Sequence, residues 1–178
     1  MMHFHLFETK LGFAGIAWGD DGITRFRLPD PDHTAAAQQF KGKVESQSPP
    51  PQVATVVDQA ARYFAGERID FSEIGLDLSG IDPLRRSIYD ALRKVSFGET
   101  VTYGELAKRA GINAPQAAQD VGVAMARNPV PLIIPCHRVL AAGGKPGGFS
   151  APGGTLTKEK LLALEGVHLG GMPRLPGL

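Results

Sequence analysis

The sequence predicts an α+β chain of two small units, a strand-led α/β unit followed by a helical unit containing a helix-turn-helix. Three observations carry this. Residues 4–28 alternate loosely between apolar and polar about Gly19-Asp20-Asp21-Gly22, helical patterns follow over 34–45 and 53–65, and the character shifts at Asp82-Pro83 to short helices parted by a glycine turn. The expected division is 1–80 as an N-terminal structural domain, 81–170 as the domain that carries chemistry, and 171–178 as an irregular tail.

The first element is a β-hairpin, because Ile16-Ala17-Trp18 and Ile23-Thr24-Arg25-Phe26 flank the Gly-Asp-Asp-Gly turn signal. Pro49-Pro50-Pro51 then breaks the chain, and Val53, Val56, Val57, Ala60 and Phe64 restore a helical stripe. Asp82-Pro83 reads as a cap with proline at the first helical position, and Leu84, Ile88, Ala91, Leu92 and Val95 extend that helix toward Phe97-Gly98. Thr102 with Glu105 makes a capping box that starts a helix over 103–110. Gly111-Ile112-Asn113 turns the chain into a second helix over 114–126, completing the helix-turn-helix. Its Ala114, Ala117, Ala118, Gly122, Ala124 and Ala126 suit close approach of another backbone, whether nucleic acid or the protein's own core.

Composition sets the outer limits. A chain of 178 residues that is 43% apolar and 21% charged can build a core and is neither disordered nor fibrous. No apolar run approaches the roughly 20 residues that span a bilayer. The opening Met-Met-His-Phe-His lacks the order of a secretory signal, so a cytoplasmic protein without membrane partners is expected. The net charge of +1 hides a split: residues 1–80 carry 7 basic and 11 acidic groups, residues 81–170 carry 11 basic and 7 acidic. Any nucleic-acid face therefore belongs to the second half. The only cysteine, Cys136, excludes an internal disulfide and the Cys-rich clusters of structural zinc. His3 and His5 can share a strand face but have no third ligand, so no metal is expected.

The chemistry concentrates after Asn128-Pro129, in the apolar strand-like run Val130-Pro131-Leu132-Ile133-Ile134-Pro135 that ends in Cys136-His137-Arg138-Val139. A nucleophilic thiol needs a base or positive charge beside it, because the thiolate is the reactive form. A lone Cys in an apolar run is more often an inert core residue, and on a strand His137 would point away from the sulfur.

Pro135-Cys136-His137-Arg138-Val139, preceded by Asn128-Pro129 and followed by a Gly-Gly loop and Lys158…Leu161-Leu162-Ala163-Leu164-Glu165-Gly166, closely resembles the methylated-DNA-protein-cysteine methyltransferases, the O6-alkylguanine-DNA alkyltransferases. Thr102-Tyr103-Gly104-Glu105-Leu106-Ala107 resembles the family's tyrosine-bearing helix start, and the likeness covers about 82–167. It implies a ribonuclease-H-like N-terminal unit and a winged helix-turn-helix-like second domain. It implies that Cys136 accepts the alkyl group, that His137 draws its proton through water, and that Glu165 orients the imidazole. Asn128 would hold the turn before the active-site strand, and Tyr103 would meet a phosphate or the guanine ring. Met125, Val139 and Ser150 would shape or hydrogen-bond the extruded base and Lys158 would border its pocket, while Ala118, Gln119 and Arg127 would face DNA from the minor groove.

Such a protein would take an alkyl group from O6-alkylguanine, with O4-alkylthymine as an alternative, in a stoichiometric and irreversible step that needs no cofactor or metal. It would act as a monomer on an extruded nucleotide. The sequence departs from the family pattern where most members place a helix arginine, which is Gln119 here, at Phe149 in place of tyrosine, and at the extra Ala151-Pro152. The Gln119 exchange keeps open a sensor that binds lesions with little transfer. A cysteine hydrolase built on Cys136, His137 and Glu165 is a third reading, which multiple turnover would reveal.

Overall fold

A computed structural model of the chain describes residues 1–151 and 153–169, so Pro152 and the tail expected over 171–178 lie outside it. The described residues form two compact units, one of residues 1–80 with 129–131 and one of 81–128 with 132 onward.

The first unit is a four-stranded sheet with helices. Strands β1 (His3–Thr9), β2 (Gly12–Gly19) and β3 (Gly22–Asp30) form an antiparallel meander, and β4 (Val44–Glu45) pairs parallel with β1, giving the order β3-β2-β1-β4. The expected hairpin is present about Asp20-Asp21, with Trp18 opposite Ile23. A second turn at Lys10-Leu11 splits the preceding residues into an additional strand, in register Thr9 to Gly12. Thr9 Oγ1 makes that turn by donating to the Gly12 carbonyl at 2.8 Å and accepting from Leu11 N–H at 3.1 Å. Gly15 leaves room for Phe40: a Cβ there would lie 2.2 Å from the Phe40 ring, which stacks on Phe4 at 5.1 Å between centroids.

The helix expected over 34–45 is only α1 (His33–Gln38). Gly42 turns at φ 85°, and Val44 N–H leaves helical pairing to donate to the Met2 carbonyl at 3.0 Å. Helix α2 (Pro51–Phe64) begins at the last proline of the triplet and buries Val53, Val56, Ala60 and Phe64. His5 Nδ1 meets the Ser46 carbonyl at 2.8 Å, and His3 stacks on Trp18.

The second unit holds α3 (Pro83–Leu92), β5 (Val101–Thr102), α4 (Tyr103–Arg109), α5 (Ala117–Ala126), β6 (Val139–Leu140) and α6 (Gly154–Leu164). Asp82 caps α3 by accepting from Arg85 N–H, and the Thr102–Glu105 capping box is fully formed. Helix α3 stops at Leu92 rather than near Phe97, since residues 93–98 turn and the Val95 carbonyl accepts from Arg138 Nη1 at 2.7 Å. Helix α5 starts at Ala117 rather than 114, because Ala114–Gln116 form a turn whose Ala114 carbonyl accepts from Ala117 N–H. The Tyr89 hydroxyl donates to the Ala124 carbonyl at 2.7 Å and ties α3 to α5. Two-residue strands β5 and β6 pair in parallel, Val101 with Val139.

Candidate active site

The run before the cysteine is not a continuous strand. Leu132 takes φ 77° in a tight turn, and Cys136–Arg138 form one turn of 3₁₀ helix entered through Pro135. Successive side chains on such a turn diverge by roughly 120° rather than pointing to opposite faces. The local cause is the proline, whose backbone leads Cys136 N–H to the Ile134 carbonyl at 2.8 Å in place of a ladder bond. Asn128 secures this segment by donating from Nδ2 to the Ile134 carbonyl at 2.8 Å.

Behind the thiol lies a buried ionic network. Fully buried His137 donates from Nε2 to Glu165 Oε2 at 2.6 Å, so a neutral ring presents Nδ1 as its basic nitrogen. Glu165 also accepts from Arg138 Nε at 2.8 Å, from Arg138 Nη2 at 3.1 Å and from Gly98 N–H at 3.0 Å. Burial alone would disfavour the Glu165 anion, but the His137 and Arg138 hydrogen bonds and charges outweigh it and hold the carboxyl far below the usual range. Burial lowers His137, with Glu165 opposing, which leaves a neutral imidazole able to accept a proton. Burial also pushes the Cys136 thiol up, while an Asn128 hydrogen bond and the Lys158 charge pull toward the thiolate.

Cys136, 6% exposed, forms part of the wall of a cavity of about 310 Å³. Tyr103, Met125, Ser150 and Lys158 also line it, together with Gly122, Ala126, Gly148 and Phe149. Lys158 is 1% exposed and donates from Nζ to the Val139 carbonyl at 2.5 Å and the Gly148 carbonyl at 3.4 Å. Burial brings it down to about 8, with the Cys136 charge opposing. The Tyr103 hydroxyl is raised by burial against a Gly148 backbone hydrogen bond. Gly147, at φ 70°, lets the loop pass this hydroxyl, because a Cβ there would lie 2.8 Å from it. Ser150 Oγ donates to the Ala126 carbonyl at 3.3 Å.

Thus Cys136, Tyr103, Met125, Ser150 and Lys158 come together at one cavity, with His137, Glu165 and Asn128 behind it. Val139 has a wholly buried side chain in the β5–β6 pair and offers its carbonyl to Lys158 Nζ. Ala118, Gln119 and Arg127 lie outside the cavity, exposed at the start and end of α5. Sequence reasoning set the Arg138 guanidinium beside the thiol as a neighbouring positive charge; its actual partner, the Glu165 carboxylate 27 residues on, was not visible from adjacency.

Residues 83–167 match the family described as 6-O-methylguanine DNA methyltransferase, DNA binding domain, so the second unit is of that DNA-binding class. The methylated-DNA–protein-cysteine methyltransferase of Methanothermobacter thermautotrophicus is 36% identical over 88% of this chain and 81% of its own. That of Mycolicibacterium paratuberculosis is 37% identical over 94% of each chain. The crystal structure of Mycobacterium tuberculosis OGT in complex with DNA matches at TM-score 0.74 and 34% identity over 92% of each chain. The chain belongs to the methylated-DNA–protein-cysteine methyltransferase family.

Proposed function

We propose that this protein repairs DNA by moving the alkyl group of O6-alkylguanine, or of O4-alkylthymine, onto Cys136, once per molecule. The observation that carries the assignment is a buried thiol opening on a cavity, with a His137–Glu165 pair at its back. The family membership supplies the substrate class.

The Cys136 proton passes, by way of water, to Nδ1 of His137, and the imidazolium that forms faces the Glu165 carboxylate. The sulfur lone pair then attacks the alkyl carbon. The carbon–O6 bond breaks and its electrons stay with the purine, which takes up a proton from the Tyr103 hydroxyl. His137 returns its proton through solvent to Tyr103, so the net change is thiol and alkylguanine to thioether and guanine. A thioether is a poor leaving group, so the protein is spent.

The cavity admits a base only when the nucleotide leaves the stack. Helix α5 would enter the minor groove on its exposed Ala118 and Gln119 side, with Arg127 on a phosphate and Gly122 and Ala126 allowing close approach. Among the described residues no helix is long and apolar enough to cross a membrane. We place the protein in the cytoplasm, with the nucleoid or nucleus as the site of work according to the cell type, acting as a monomer.

Mass spectrometry after incubation with a methylated oligonucleotide tests this. The expected result is one added methyl on the peptide that contains Cys136, none in Cys136→Ser, and an end at one equivalent. Binding without methylation would replace transfer with lesion sensing, and turnover beyond one equivalent would point to hydrolysis.

A further inference from the structure

Helix α5 buries Val121, Ala124 and Met125, while Gln119, Val123 and Ala126 are exposed and fall at helical spacing on its opposite side. Two residue choices on that outer side run against helix stability. Glycine is the poorest interior helix former after proline, and Gly122 has no positive φ that would require it. A Cβ there would meet nothing within 4 Å among the described residues, so the protein's own packing does not call for glycine either. Val123 is branched at Cβ, which also lowers helix propensity, and it stands 44% exposed instead of in the core.

A recess and an apolar knob therefore lie side by side, and they lie at the cavity. Gly122 and Ala126, which line the Cys136 cavity, come directly before Val123 and three residues after it. On a helix valine keeps one side-chain rotamer in about 90% of cases, so its two methyl groups hold a fixed direction and lose little freedom on contact. An apolar group gains nothing from phosphates; the surface it can bury against on DNA is base and sugar. Proteins that work in the minor groove unstack base steps with apolar side chains inserted in this way.

We propose that Val123 is a wedge that presses into the base stack beside the extruded nucleotide, with Gly122 giving the strand room to approach. This rests on the reading of α5 as the helix that enters the minor groove.

The test is Val123→Ala in the full-length protein, with Leu84→Ala, which removes an equally exposed apolar side chain on α3, as the comparison. Alanine is the better helix former, so Val123→Ala should melt no lower than wild type and a loss of function is not a loss of fold. The ratio of duplex to single-strand methyl transfer should fall about fivefold in Val123→Ala, the scale of leaving the exposed part of one valine unburied, and should not change in Leu84→Ala. Unstacking is read separately in a Cys136→Ser background, where no methyl moves. A duplex with 2-aminopurine next to O6-methylguanine should brighten when saturated with that protein, and the rise should be at least halved when Val123→Ala is added. A ratio that is unchanged or higher in Val123→Ala, equal losses in both variants, no brightening, or brightening that survives Val123→Ala would overturn the proposal. Absence of methyl transfer in every strand context would instead remove the alkyl-transfer reading, and the emission experiment would still decide the wedge.

Discussion

Glu165 and Arg138 form the site's most demanding interaction, and removing both partners should cost clearly less than the two single losses added together. The Glu165 carboxylate accepts four described hydrogen bonds, two of them from Arg138, whose side chain is 8% exposed. In Glu165→Leu the guanidinium keeps the Val95 carbonyl but loses its counter-charge inside the protein. Breaking a buried pair in this way costs about 3–5 kcal/mol. With a urea slope of about 2 kcal/mol per molar, the midpoint falls by about 1.5–2.5 M. Arg138→Met strands the carboxylate and should cost a similar amount. The double variant Glu165→Leu/Arg138→Met buries no charge, so it should be more stable than the simple sum by about 2–3 kcal/mol. Far-ultraviolet circular dichroism during urea unfolding measures all four proteins. Because the folded carboxyl is depressed below its ordinary 4.5, its contribution is present above that pH and is lost as pH falls through the folded value. The gap between wild type and Glu165→Leu should therefore narrow in acid. Single variants that cost under about 1 kcal/mol, or effects that add within about 0.5 kcal/mol, would refute the reasoning.

Three further outcomes test other parts of the site. Lys158→Met should slow Cys136 alkylation by iodoacetamide at pH 7 several-fold, and the ratio should shrink as pH rises through about 8, where the wild-type lysine loses the charge that favours the thiolate; a constant ratio would contradict it. Gly147→Ala places a Cβ against the Tyr103 hydroxyl at positive φ and should cost about 1–2 kcal/mol by thermal melting, with part regained in a Tyr103→Phe background. Gln119→Arg, at an exposed position in the first turn of α5, should raise the ratio of duplex to single-strand methyl transfer several-fold, since a guanidinium fork holds an orphaned base more firmly than an amide; an unchanged ratio would assign Gln119 no part in holding DNA open.

What could be read in the sequence was what short-range chemistry decides. The Thr102–Glu105 box, the Asp82-Pro83 start and the Asp20-Asp21 hairpin each involve neighbours a few residues apart, and each stands as expected. The elements that came out shorter were cut by distant partners. The Val95 carbonyl is taken by Arg138, 43 residues on, so α3 ends before its apolar pattern does. Val44 is drawn to Met2 and β1, which periodicity within 34–45 could not reveal. At the candidate site the adjacency of Cys136 and His137 was visible, while the geometry relating them was not, because Pro135 replaces a strand with a 3₁₀ turn. Val139 pairs with Val101 and keeps its side chain in the core, a placement that its position beside the motif does not reveal.

That Cys136 is the sole sulfhydryl in the chain gives each molecule a legible history. Once the protein is unfolded, a colorimetric reagent finds one reactive sulfur in an unused copy and zero in a copy that has met its lesion. With no second sulfhydryl to confuse the reading, the residual titre of a population counts directly the damage it has already removed.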